Sequence, residues 1–288
     1  MRRNLPKGVT VVLLLLPGLG VILGFISVVL YFAVSQSFGY YNFAGDSGFT
    51  LEHWAQLRDN RNFWRSFFYS LRIATISSLA SVFLAYPLAL WLRKPFPGSA
   101  IVGAVLKIPY LVPGLVAAFL YVNFISFNGF LNQMLLWAGF IEEPLRMQND
   151  RYGIGVIILQ IWKQLPFALL LLLGAVGNIS DDIYAAARDV GAGLLTRFTR
   201  ITLPLTLQTL QVALIIIFIG AAGDFSFQTI AGPRRVFSMA QFMYSTQTIN
   251  RDWNYSAVVA VMLMLLSLVG SVGLAGIMQL LIRGGFNR

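Results

Sequence analysis

The sequence has no cysteine and one histidine, His53, among 288 residues. Without cysteine there is neither a disulfide nor a thiolate metal site. A single histidine supports no Ser/His pair for hydrolysis and no cluster to hold a metal. No Gly-x-x-x-x-Gly-Lys-Ser/Thr run is present, which excludes nucleotide binding by a phosphate loop. Charge is scarce as well, at 11% of residues, and acidic residues number 11 against 21 Lys and Arg. What is abundant is apolar: 57% of residues are hydrophobic and the mean hydropathy is +0.73. A soluble domain does not have this composition. The net charge of +10 could suggest nucleic acid, but basic residues flanking membrane spans account for it, so no nucleic-acid partner is expected.

The chain reads as an all-α, polytopic membrane protein with six transmembrane helices. Arg2, Arg3 and Lys7 precede an apolar run over 9–34, too long for the core of a signal peptide and lacking a small-residue cleavage site. It is expected to be the first span, with the N-terminus in the cytoplasm. Residues 35–61, with Tyr40, Tyr41, Phe43 and Trp54, form an external segment near the interface. The second span covers 62–92, between Trp64, Phe67 and Tyr69 at one end and Arg93-Lys94 at the other. Pro95-Phe96-Pro97-Gly98 makes a turn. The third span, 99–127, contains Pro109 and Pro113, which should kink it and free carbonyls that a neighbour must satisfy. Residues 130–140 suit a helix lying on the external interface, and 142–151 a loop. The fourth span is 152–177, the fifth 205–227, and the sixth 255–282. A long external loop occupies 232–253, and the tail is 283–288. Six spans put both termini on one side. The basic residues favour the cytoplasm for that side by a thin margin.

Between the fourth and fifth spans lies the one polar run of helical character, 181–204. Ser180 or Asp181 can cap its start, and Asp181 and Asp182 suit the positive end of the helix dipole. Ala185, Ala186 and Ala187 supply propensity, Arg188 and Asp189 follow, and Gly191 and Gly193 can stop or turn the chain. A second short helix from 194 to about 201 would set Leu194, Leu195, Phe198 and Ile201 on one face, with Pro204 closing it. A helix-turn-helix of this size can be buried core or a DNA reader, but its place between two spans favours a docking surface over either. Asp224, in Gly223-Asp224-Phe225, is the one carboxylate inside an expected span, which makes it a pathway candidate by default, with a structural ion pair or helix-packing role as the other reading. Trp162 and Lys163 in the fourth span are further candidates. Arg72 and Lys107 are read as snorkelling to the interface.

The run 185–204 resembles the EAA loop of permease subunits of type I ABC importers: Glu-Ala-Ala, three variable residues, glycine, then a spaced Phe, Ile and Leu-Pro. Gly191 falls on the motif glycine, and Phe198, Ile201, Leu203 and Pro204 on the downstream positions. The departure is Ala185, where the family usually carries glutamate. The resemblance implies a five-helix permease core over 62–288 with an additional first helix in 1–61. It implies that 181–204 docks on a cytoplasmic ATPase, with Leu194, Leu195, Phe198 and Ile201 buried in its groove and Arg188, Arg197 and Arg200 at the rim. The implied partners are a second, distinct permease, two ATPase subunits that bind the ATP, and an external substrate-binding protein. The chain itself would be non-catalytic, with no cofactor of its own, in the cell inner membrane. Gly223-Asp224-Phe225 and Arg251-Asp252-Trp253-Asn254-Tyr255 look most like the polyamine-type branch. The competing reading is a secondary, ion-coupled transporter using Asp224 and Lys163 as a relay.

Overall fold

The computed structural model describes residues 7–43, 45–148, 150 and 152–286, and they contain helices and no strand. Arg2 and Arg3, which precede the first expected span, lie outside the described residues. The helices are α1 (Lys7–Ser37), α2 (Glu52–Asp59), α3 (Arg61–Leu92), α4 (Ser99–Leu111), α5 (Gly114–Phe124), α6 (Phe130–Trp137) and α7 (Ile154–Gly177). They continue with α8 (Asp181–Asp189), α9 (Leu194–Arg197), α10 (Leu203–Ala222), α11 (Ser226–Ala231), α12 (Met239–Thr248) and α13 (Trp253–Phe286). Five helical stretches are long and apolar enough to cross a bilayer, and α4 with α5 would make a sixth span broken by a bend of 102°.

Contacts divide the chain into two units. The first holds residues up to 60 together with 243–262. In it, α1 carries exposed Leu, Val, Ile and Phe on all sides, as expected of a helix surrounded by lipid. The aromatic segment after α1 folds on itself. Phe38 stacks on Phe49 and packs against Trp54, and Asn254 donates to the carbonyls of Gln36 (2.8 Å) and Tyr40 (3.1 Å), fixing the chain where α1 ends.

The second unit, 61–242 with 263–288, is built on α3, α7 and α10. The buried face of α3 is a stripe of small residues, Ser66, Ser70, Ala74, Ser77, Ser81, Ala85 and Ala89, spaced three or four apart. Small side chains let helices approach closely in a membrane, where lipid gives no hydrophobic drive to associate. Into that stripe pack Ala168, Leu169 and Leu172 of α7 and Leu210, Ala213, Leu214 and Ile217 of α10. A similar close approach occurs at Gly270, where a Cβ would lie 2.6 Å from the ring of buried Phe218. Toward the Arg61 end of α3, a second cluster joins Tyr69, Ile73, Ala117, Ala118, Val156, Leu159, Phe227 and Ala231.

Three expectations need correction. The third span is not one kinked helix but two, parted at Val112-Pro113, because Pro113 has no N–H and drives the preceding residue extended (Val112 ψ 125°). The fifth span ends at Ala222, and Gly223-Asp224-Phe225 breaks it before α11. The 232–253 loop contains helix α12, whose first N–H, at Met239, donates to Ser70 Oγ at 2.8 Å.

Candidate functional site

The polar segment after α7 is rooted by one residue, Arg93. Its guanidinium donates to the carbonyls of Val176 (3.2 Å) and Ile179 (2.6 Å), which end α7, and pairs with Asp181 at 2.9 Å, which begins α8. It also lies 4.3 Å from the centroid of the Tyr184 ring. One cation thus satisfies orphan carbonyls at a helix C-terminus and holds the first turn of the next helix. Ser180 caps α8 by accepting from the Asp182 N–H at 3.2 Å, which leaves Asp181 for the ion pair.

α8 ends in a left-handed turn. Gly191 has φ +76°, its N–H donates to the Arg188 carbonyl (2.8 Å), and the Ala192 N–H reaches the Ala187 carbonyl (2.9 Å). That is the double bond pattern of a Schellman cap, with glycine where a Cβ is strained. A Cβ at Gly191 would meet nothing within 4 Å, so backbone strain alone selects glycine. Beyond the turn the chain presents Val190, Leu194 and Leu195 at 84%, 80% and 75% exposure. Ala185, Ala186, Arg188 and Asp189 lie on α8.

The expected single apolar face does not form. Leu194 and Leu195 point outward, whereas Phe198 turns inward onto Tyr86, edge-to-face at 5.3 Å, and packs against the α3–α7–α10 core. Nor does Pro204 close a helix. Residues 198–202 form a π-helical turn that runs straight into α10, with Pro204 in its first turn. A wider turn accommodates the N–H that proline lacks. It also shifts Phe198 and Ile201 off the face that regular spacing would give them. Thr202 is bonded to Tyr184 across the segment at 2.8 Å, and the Tyr86 hydroxyl meets Thr206.

The intramembrane candidates separate. Lys163 does not pair with Asp224. Its ammonium donates to the carbonyls of Pro109 (3.0 Å), Tyr110 (2.9 Å) and Val112. These are the carbonyls left open where α4 stops, so Lys163 closes the negative end of a broken helix. Asp224 lies half-buried and caps α11, accepting from the Phe227 N–H at 3.1 Å, with buried Gln160 beside it. Gln228 of the same helix accepts from the Tyr69 hydroxyl at 2.9 Å. Trp162 is partly exposed on α7. Among the described residues no group of acidic, His or Cys side chains is placed to hold a metal.

At the opposite end of α3 from Arg93 lies a cleft of about 830 Å³, lined by Arg61, Arg65 and Arg72 of α3, Arg235, and the aromatic residues Trp64, Phe68, Tyr69 and Tyr152. Spacing alone could have found it: Arg61, Arg65, Phe68 and Arg72 stand at i, i+4, i+7 and i+11, one stripe of a helix. Arg93 was the harder omission, since a cation at a span end looks like any other flank.

A helical core with a broken third span, a break after the fifth, and a two-helix projection between the fourth and fifth defines a polytopic membrane protein. The chain belongs to the family of binding-protein-dependent transport system inner membrane components, whose model matches residues 54–283. It is 30% identical over 217 residues to the spermidine/putrescine transport system permease protein PotB of Escherichia coli (strain K12), covering 75% of this chain and 78% of that one. It is also 30% identical over 169 residues to the trehalose/maltose transport system permease protein MalF of Thermococcus litoralis (58% and 57% covered). A solved bacterial ABC transporter that imports the acidic polysaccharide alginate shares the fold, with a TM-score of 0.72 at 19% identity over 93% of this chain and 94% of that one. The chain is therefore a multi-pass permease component of an ABC importer, and the ion-coupled alternative is not favoured.

Proposed function

We propose that this chain forms half of a translocation pathway for a small organic solute and is driven through residues 181–204. The carrying observation is the exposure of Val190, Leu194 and Leu195 on a projection that is otherwise tied down by Arg93, Gly191 and Thr202. An apolar tip on a rigid root is suited to sit in a groove of an ATPase subunit and to carry its motion into α3, α7 and α10. In this reading the ATPase side is cytoplasmic, as are both termini, and the Arg61 end of α3 is external. ATP is bound and hydrolysed by two partner subunits, and this chain is non-catalytic and holds no cofactor. A second, distinct permease completes the pathway, and an external binding protein delivers the solute. Residues 1–61 are an addition to a core of 62–288.

The coupling residues are Ala185, Ala186, Arg188, Asp189, Gly191, Leu194, Leu195, Phe198, Ile201 and Pro204. Leu194 and Leu195 make the contact, and Phe198 transmits it inward through Tyr86. Asp224, at the break after α10, with Trp162 and Lys163 on α7, borders the pathway. Lys163 acts there by holding the α4–α5 break in shape. The likeness to PotB supports a polyamine-like or other small organic substrate.

The test is the double variant L194D/L195D, expressed with the partner subunits. Burying two leucines stabilises a complex by roughly 3–6 kcal/mol, so co-purification of the ATPase and solute uptake should each fall at least about tenfold. The chain itself should insert and melt as the wild type does, because neither side chain contributes to its core. Unchanged ATPase retention would overturn the reading.

A further inference from the structure

The arginine cleft has no part in the function just proposed. Three of its cations share one stripe of α3, and Arg61 and Arg72, eleven residues apart, are separated by about 16 Å along the helix axis. Arg235 approaches from the segment after α11, and Tyr152 comes from the chain leading into α7. Arg61, Arg65 and Arg235 are exposed. Arg72 is half-buried between the Tyr69 and Tyr152 rings and donates to the Tyr152 carbonyl. Its Nε–H is buried with no acceptor. Among the described residues none of the four arginines has a carboxylate within ion-pair distance; the pairs drawn are those of Arg93 and Lys94 with Asp181.

Asp150, near Tyr69, is taken up by the N–H groups of Tyr152, Ile154 and Gly155, and the four like charges of the cleft repel one another unless an anion sits among them. Planar guanidinium groups bind phosphate oxygens in pairs, and a lone ammonium does not. The cleft follows the Arg61 end of a membrane helix, with Trp64, Tyr69 and Tyr152 in its aromatic lining and exposed Phe68 beside them. Aromatic rings of this kind favour the level of lipid headgroups, and an apolar wall suits the start of an acyl chain. We infer that the cleft of Arg61, Arg65, Arg72 and Arg235 binds a phosphate-bearing anion. Two sources share that chemistry: the headgroup of an anionic phospholipid and a free organic phosphate. The aromatic lining and the apolar Phe68 favour the lipid over the acidic surface of a docking protein, which would make no use of them.

The experiment uses the purified full-length chain in nanodiscs of phosphatidylethanolamine with or without phosphatidylglycerol. Retained lipid is read by native mass spectrometry, and binding of soluble glycerol 3-phosphate is read by isothermal titration calorimetry. The variants are R65Q/R235Q and the charge-preserving R65K/R235K, both at exposed positions. Wild type should retain phosphatidylglycerol over phosphatidylethanolamine by about fivefold or more, weakening as salt rises, and R65Q/R235Q should lose most of that preference. R65K/R235K should fall between, since point charge survives and paired donation does not. Saturable glycerol 3-phosphate binding without lipid preference, lost in R65Q/R235Q, supports the site with a free phosphate as its ligand. Equal retention of the two lipids with no response to glycerol 3-phosphate overturns the inference. So does a preference that R65Q/R235Q leaves intact. None of these readouts depends on transport, so they succeed or fail separately from the coupling reading.

Discussion

Two regions at opposite ends of α3 use cations in opposite ways. At one end Arg93 is nearly surrounded: two carbonyls, one carboxylate and one aromatic face take up its donors and charge, and its side chain is 13% exposed. At the other end Arg61, Arg65 and Arg235 stand open around a shared cleft with no carboxylate in reach among the described residues. Lys163 belongs with Arg93, since three carbonyls of the α4 terminus enclose its ammonium. A chain with so few charges uses some as internal fasteners for helix ends that membrane cannot solvate, and leaves others for something outside itself. The local surroundings of a cation, rather than its depth or its distance from a span end, separate the two uses.

The comparison breaks first at Lys163. Replacing it with Met keeps the length and removes every donor, leaving the carbonyls of residues 109, 110 and 112 without the ammonium that closes the end of α4. Unsatisfied buried acceptors cost about 1–3 kcal/mol each, partly recovered by relaxation, so K163M should lose roughly 3 kcal/mol and reduce the yield of folded chain. A melting curve of the detergent-purified variant matching the wild type would show that Lys163 is not a fastener. Arg93 comes next. R93M should cost about 2–3 kcal/mol, because its carbonyl partners end α7 and its carboxylate partner is free to turn to water. Its sharper mark is functional: uptake should drop more than stability does, since the root of the projection loosens while the core stays packed. Amide exchange in α8 faster than in α10 would be the direct signature.

These fasteners explain why the sequence showed the frame and hid the joints. Apolar runs and prolines located the spans, and Gly191 marked its turn because a left-handed backbone leaves a residue signature. The breaks at Val112-Pro113 and Gly223–Phe225 were not legible, since hydropathy averages across them. A tertiary contact, Lys163 on the end of α4, and a local cap, Asp224 on the first turn of α11, decide whether a proline or glycine kinks a helix or ends it. Phe198 fails for a related reason. Regular spacing puts it beside Leu194, but the π-helical turn rotates it inward onto Tyr86, and a wide turn has no residue pattern of its own. Arg93 and Arg61 both looked like ordinary flanking cations, because the difference lies in partners from other helices.

A smaller effect is expected at Asp181. Its side chain is 65% exposed, so solvent and salt screen its attraction to Arg93, and exposed pairs contribute about 0–1 kcal/mol. D181N should therefore lower stability by less than about 1 kcal/mol and fade further in high salt. The guanidinium would keep its two carbonyls. If D181N matched R93M in size, the carboxylate rather than the α7 carbonyls would be the anchor, and the description of that end would need to be reversed.

The smallest effect has the opposite sign. In nanodiscs of phosphatidylethanolamine alone, the open cleft holds like charges with nothing among them, and removing two relieves repulsion. R65Q/R235Q should then melt about 1–2 °C above the wild type at low ionic strength. The gap should close near 1 M salt, where the screening length falls to about 3 Å. Adding phosphatidylglycerol should invert the order, because only the wild type gains a ligand for its folded state. A fastener behaves otherwise: replacing Arg93 or Lys163 should destabilise in either lipid and at either salt concentration. Destabilisation of R65Q/R235Q in both lipids would place these arginines with Arg93 after all, and the two ends of α3 would then differ in degree rather than in kind.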